Sequence, residues 1–428
     1  MKRIVALLLC VLLLCFAGCV KKAEPMVVAT ATPKAAPTEE PALETPAPAP
    51  TPVAVEDTAG QLSDALLETE ALAYPLMQNL KAANTDKNTV FSPVAMSDLL
   101  TALYAAADGD TGEELRQMLS WMCEKEDAVA NLKVLNQSLG QNFSAVNMLF
   151  LSDRVKPAQS FLDDIASPLS VQTDSMNFSD VTAAEAINAF AGNVAGEKAA
   201  RLIEGTTAAD MLVAASGFTF FGTFDLAFDE KETENETFEG SGGLFPCAMM
   251  EMQTLLPYAE DEYMQLVSLP MNGGKQSMVL LLPKKGMEQG FDEAFLQYAD
   301  SWLSQEITKP LNVELTMPRF TLSSGLDLTE ILADMGMRAA LRAQTVNLEG
   351  LLDESLLLPM PISSVYSVGT LAVSEHGVNV RENENVQIAQ KQESEETVEV
   401  EIDRSFMAAV TDSETGAVLV IGWVNSVE

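Results

Sequence analysis

Residues 369–401 read GTLAVSEHGVNVRENENVQIAQKQESEETVEVE, and the rest of the chain is best read outward from them. Leu371 and Val373 alternate with polar neighbours as on a half-buried strand, Gly377 follows, and the chain then stays polar or charged at most positions as far as Glu401. On the far side it turns apolar again, with FMAAV at 406–410 and AVLVIGWV at 417–424, two buried strands joined by the turn DSETG. A long polar segment without helix caps, set between two pieces of core, is an exposed functional loop, a plain acidic surface loop, or disordered.

Upstream of the loop the head reads as a mixture of helices and strands. Residues 61–82 carry apolar side chains at helical intervals, and Pro75 predicts a kink or a division of that helix. Asn88 to Phe91 reads as a short strand, Ser92 as the cap and Pro93 as the first turn of a helix with Met96, Leu99, Leu100 and Leu103 inward. Thr111 and Glu114 predict a capping box for the next helix. SAVNMLFLSD reads as an apolar strand, and residues 211–228, MLVAASGFTFFGTFDLAF, as a central strand. SMVLLLP and NVELTMPRFTL add further strands. With no regular alternation of strand and helix, the class is an intertwined α+β domain rather than a nucleotide-binding one.

The N-terminus predicts export. Lys2 and Arg3 precede the apolar run IVALLLCVLLLCFAG, which is too short for an ordinary membrane span and ends at Cys19. FAGC at 16–19 resembles a bacterial lipoprotein cleavage box, which implies residues 1–18 as signal peptide and a lipid-modified Cys19. The proline-rich, aromatic-free residues that follow cannot bury a core and form an extended spacer, so the expected order is anchor, stalk over 19–60 and head over 61–428.

The chemistry the chain can perform is bounded by what it contains. A single histidine, His376, leaves no set of imidazole ligands and no triad-like context, no metal or cofactor motif is present, and Cys123 and Cys247 of the head allow one disulfide at most. The formal net charge of −37 opposes nucleic acid and anionic lipid as partners of the head. An enzyme is therefore not expected.

Several local motifs occur in the order found in the serpin family. Ser92, Pro93, Gly109, Thr111 and Met118 resemble its early N-x-x-x-S-P segment and following helix. Phe220, Gly222, Phe224 and Phe228 are similar to its Y-F-x-G-x-W-x-x-x-F strand and turn, with Phe224 in the Trp position. SMVLLLP, MPRF at 317–320, LTEILADMGM, Arg404-Ser405-Phe406 and Gly416 through Gly422 resemble its later elements, with Ser405 standing for Pro and Val420 for Phe. The resemblance implies the serpin fold, three β-sheets with about eight or nine helices, and makes the opening segment a reactive-centre loop.

It also implies a function without a catalytic residue. A serine protease, here one with a trypsin-like pocket, cuts the loop, whose first half then inserts as a strand into the largest sheet. Family spacing places the cut between Lys391 and Gln392. The hinge falls on Glu375, Gly377, Val378, Val380, Glu382 and Glu384, where the family's run of alanines is replaced. Val378, Val380, Glu382 and Glu384 share one face of an inserted strand, and two carboxylates on a buried face oppose insertion. The family's sheet-opening residues map onto Ser92, Ala95, Ser216 and Ser367, of which Ser92 is retained; as a helix cap it also has a purely structural role. Two functions result: a lipid-anchored protease inhibitor on the outer face of a cell membrane, or extracellular if released, with a monomeric head; or a non-inhibitory serpin-fold surface binding or scaffold protein with a degenerate hinge.

Overall fold

The computed structural model describes residues 58–196, 199, 201–353, 358–380, 386–391 and 396–427. Cys19, Glu382, Glu384 and Gln392, together with the leader and most of the stalk, lie outside the described residues.

The largest apolar stretches become two hydrogen-bonded networks of strands. One has the order β3 (Val171–Met176), β2 (Phe143–Ser152), β4 (Leu212–Phe220), β12 (Ile362–Ser374), β13 (Gly377–Val378), β5 (Gly222–Thr223), with β11 (Phe320–Asp327) also on β12. The other runs β1 (Thr89–Phe91), β16 (Val418–Val424), β15 (Phe406–Asp412), β9 (Gln276–Pro283), β8 (Met264–Met271), β7 (Gly243–Glu260), β10 (Lys309–Pro318), β14 (Val398–Glu401), with β6 (Glu234–Gly240) on β7. The 18-residue β7 pairs with β8 at one end and with β6 and β10 along the rest, so it belongs to two of the three expected sheets and fuses their ladders.

The predicted central strand over 211–228 is interrupted. β4 ends at Phe220, β5 spans only Gly222–Thr223, and Phe224 and Phe228 turn into the core as an edge-to-face pair. Seven α-helices are present among the described residues, and the first, α1 (Thr58–Ala83), runs unbroken through Pro75. The proline deprives the Ala71 carbonyl of its helical donor, and burial of Leu72, Leu76 and Leu80 outweighs that one lost bond.

α2 (Pro93–Ala106) begins as expected, with Ser92 Oγ accepting from the Ala95 amide at 3.2 Å, but it is buried on nearly every side. The predicted capping box is not one. α3 (Gly109–Met118) starts before Thr111, whose hydroxyl donates to the Thr345 carbonyl and accepts from the Asn347 amide, while Glu114 accepts from the Arg338 and Ala339 amides. Both side chains tie α3 to a distant loop instead. Cys123 and Cys247 are free thiols.

Candidate functional site

The site is the line along which the large sheet divides. β4 and β12 run parallel and are paired from Leu212 with Ile362 up to Gly217 with Val368. Ser216 and Ser367 are direct partners in this ladder, and Asn147 of β2 is the partner of Ser216 on the other side. Cross-strand partners share a face. Here it is the face of Leu149, Ala214 and Val365, turned to the main core, against which α2 packs with Ser92 and Ala95 buried. All four sequence-predicted opening residues therefore belong to one layer. Asn147 was missed, because within an apolar run only the register shows that this polar side chain faces inward; its carboxamide has no hydrogen bond among the described residues.

Asp98, also on α2, is fully buried. Asn136 Nδ2 of α4 (Lys125–Ser138) lies 2.9 and 3.0 Å from its two carboxylate oxygens. Burial raises this carboxyl well above the usual range, and the Asn136 amide offsets that only in part.

Above Gly217 and Val368 the sheet forks, and the predicted hinge occupies the fork. β12 ends at Ser374, Glu375 and His376 make a turn, and Gly377 and Val378 return as β13, antiparallel to Val373–Ser374 on one side and to Gly222–Thr223 on the other. The Glu375 carboxylate is almost fully buried, accepts from Thr233 Oγ1 at 2.9 Å and is ion-paired with Arg319. Burial pushes its pKa up, but the hydrogen bonds from Arg319, its own backbone and Thr233 together hold it below the usual carboxylate range. The carbonyls of Glu375 and His376 accept from the Phe228 and Phe224 amides at 3.0 and 2.9 Å, so the aromatic turn is bound to the hinge turn. His376 Nε2 stands 3.7 Å from Glu230.

Gly377 is obligatory here. Its φ is +143°, and a Cβ would lie 2.0 Å from the Gly222 carbonyl oxygen. Val378 is fully buried, as its expected face requires, and Val380 is half-buried. Between them Asn379, with φ +46°, places its carboxamide in the fork.

A family model described as serpin (serine protease inhibitor) matches residues 68–427. The chain belongs to the serpin family. It is 25% identical over 373 residues to an uncharacterized serpin-like protein of Methanosarcina acetivorans, covering 84% of this chain and 85% of that one. It is equally 25% identical over 369 residues to pig plasminogen activator inhibitor 1, covering 80% and 87%. Among solved structures, human thyroxine-binding globulin in complex with thyroxine superposes with a TM-score of 0.76 at 21% identity, over 86% of this chain and 99% of that one. This is the α+β serpin fold in a family of inhibitors and binding proteins, and the chain is not an enzyme.

As a serpin the chain departs from expectation in its loop, which is not exposed throughout. Gly377–Val378 is inside the sheet. Further on, the Ala227 amide donates to the Gln387 carbonyl and the Ala389 amide to the Ala227 carbonyl, both at 2.8 Å, so that Ile388 bridges Ala227 in parallel. The polar composition of the loop hid this, because the contact is made by main chain. Lys391 follows with its side chain 67% exposed and Nζ 4.0 Å from Glu251.

A separate cavity of about 650 Å³ lies between α1, α6 (Glu288–Leu303) and the end of β16, lined by Lys81, Lys285, Arg404, Asp292, Trp423 and Asn425 among others. Lys81 Nζ sits 3.6 Å from the centre of the Trp423 ring and pairs with Asp292; burial nonetheless lowers its pKa. No group of His, Cys, Asp and Glu suited to a metal occurs among the described residues.

Proposed function

We propose that the head is a serpin-fold binding protein whose loop is kept docked, rather than a protease trap. The observation that carries this reading is the bridge at Ala227. It pins Gln387 to Ala389, the fifth to third residues before the expected cut, which a protease must draw out as part of an extended strand across its cleft. The replaced alanines of the hinge and the carboxylates of Glu382 and Glu384 point the same way. Mixing purified head with trypsin at equal concentration and running a denaturing gel tests it: the reading expects a cut head and free protease, and a stable adduct overturns it.

What is bound is read from the cavity beside Trp423. Its lining sets Lys81, Lys285 and Arg404 against Glu239, Glu288 and Asp292 beside the Trp423 ring, which suits a small aromatic molecule bearing both charges, and thyroxine-binding globulin, similar in fold, is seen in complex with thyroxine. Thyroxine as probe should quench tryptophan fluorescence saturably in the wild type and much less in Lys81→Ala.

The second reading, inhibition of a trypsin-like protease, is favoured by the exposed Lys391 cation. In either case we place the 61–428 head, as a monomer, outside the cell on a stalk anchored through Cys19. Mass spectrometry of the membrane-bound protein should find a lipidated Cys19 as its first residue.

A further inference from the structure

We propose that Asn379 is a strand stop: its side chain imitates the next stretch of an inserting strand and so holds the hinge at Val378 while closing the fork to the residues behind it. This rests on the docked-loop reading above and names the group that enforces it at the hinge.

The argument is in the register. β13 is antiparallel to β12 with Val378 opposite Val373, which places Asn379 opposite Ala372 and, if the strand continued, residue 381 opposite Thr370. In such a ladder a hydrogen-bonded pair exchanges both of its N–H to O=C bonds, and the next pair to do so lies two residues on. Half of the first pair is made normally, the Asn379 amide donating to the Ala372 carbonyl at 2.7 Å. In the other half the Ala372 amide donates at 2.9 Å to Asn379 Oδ1, not to the Asn379 carbonyl.

The following rung is also occupied. Asn379 Nδ2 donates to the Thr370 carbonyl at 3.1 Å, the acceptor that the amide of residue 381 would use. The same nitrogen donates at 2.9 Å to the Phe220 carbonyl at the end of β4. One side chain thus makes the bonds that a main-chain carbonyl and the amide two residues on would make in a continued ladder, and satisfies acceptors on both sides of the fork. The positive φ of Asn379 turns the main chain out of the sheet as the side chain turns in. Asparagine suits this better than other residues with a Cβ, because it tolerates the left-handed region and carries an amide of its own.

Advance of the strand requires Asn379 to leave the left-handed region and withdraw its carboxamide, so the stop acts before Glu382 or Glu384 reaches the sheet. The test compares melting temperature before and after trypsin cleavage at Lys391. Asn379→Gly keeps the backbone conformation available without strain and deletes only the plug. The cut wild type should gain little, and the cut glycine variant should gain on the order of 10 °C as a strand is added.

If the cut wild type already shows the full rise, both the docked-loop reading and the stop are wrong. If neither protein rises, the stop is overturned and the docked-loop reading stands. Should the glycine variant fail to fold, Asn379→Asp is the second probe. At pH 7.5 its carboxylate faces two carbonyls and should release the strand like glycine, whereas at pH 4 a protonated carboxyl can donate again and should restore the small gain. Protonation of Glu382 and Glu384 alone favours insertion at low pH, so a larger gain at pH 4 than at pH 7.5 overturns the stop.

Discussion

The closed and the forked halves of the large sheet are held by different means. Between Leu212 and Gly217 the β4–β12 seam is a parallel ladder of main-chain bonds, lined on its inner face by small residues such as Ala214, Ser216 and Ser367 over α2. In the fork above, Glu375, Gly377 and Asn379 each occupy a place no other side chain could take unchanged. A ladder of main-chain bonds tolerates substitution; a joint made of single side chains does not. Changes at the fork should therefore be felt more than changes beneath the seam.

The largest effect is expected at Gly377. Gly377→Val puts a β-branched side chain into the Gly222 carbonyl and should expel the hinge at a loss of about 3 kcal/mol or more. Calorimetry should show the loss, and trypsin should cut at Lys391 many times faster. A stable variant with an unchanged cutting rate would show that the hinge does not sit in the sheet.

Arg319→Ala should come next, at about 2 kcal/mol near neutral pH, since Glu375 is left buried with Thr233 as its remaining side-chain donor, while half of the Arg319 side chain is in water and moderates the loss. The pH dependence sharpens this. With its pKa held low, Glu375 contributes stability that is present above its unfolded value and lost as pH falls through the folded one. Without Arg319, burial raises the carboxyl instead, and that part of the curve should reverse.

Beneath the seam the sign changes. Asp98 has a raised pKa, so its favourable share is complete below its unfolded value near roughly 4 and is lost as pH rises toward the folded one. Asp98→Asn should accordingly gain about 1 kcal/mol at pH 7.5 and flatten the curve between acid and neutral pH. A loss at neutral pH would mean that the carboxylate has a charged partner.

Lys391→Ala is the smallest. An exposed side chain 4.0 Å from Glu251 should change stability by less than about 0.5 kcal/mol while removing the trypsin cut.

The difference between the halves also explains what could be read in advance. Apolar period and turn residues were enough for α2, β9, β15 and β16 and for the first half of the 211–228 strand, whereas of β12 only the alternation at Leu371 and Val373 was legible; the family resemblance put Ser92, Ala95, Ser216 and Ser367 beneath the large sheet. Tertiary packing overrode local rules at Pro75, where buried leucines keep α1 whole, and at Thr111 and Glu114, whose partners lie in the loop around residues 338–347. Asn147 required the strand register. Asn379 and the segment Gln387 to Ala389 were hidden for a common reason: hydrophobic pattern records which side chains are buried, and both contacts consist of hydrogen bonds made by a polar side chain or by main chain.

Amide hydrogen exchange in the intact head tests the seated hinge and docked loop most directly. The amides of Ala372, Ala227, Phe228 and Ala389 donate to Asn379, Gln387, Glu375 and Ala227 respectively, and should all be protected together. Exchange of Ala227 and Ala389 at the rate of an unstructured peptide would contradict the docked loop, and the same result at Ala372 and Phe228 would contradict the seated hinge.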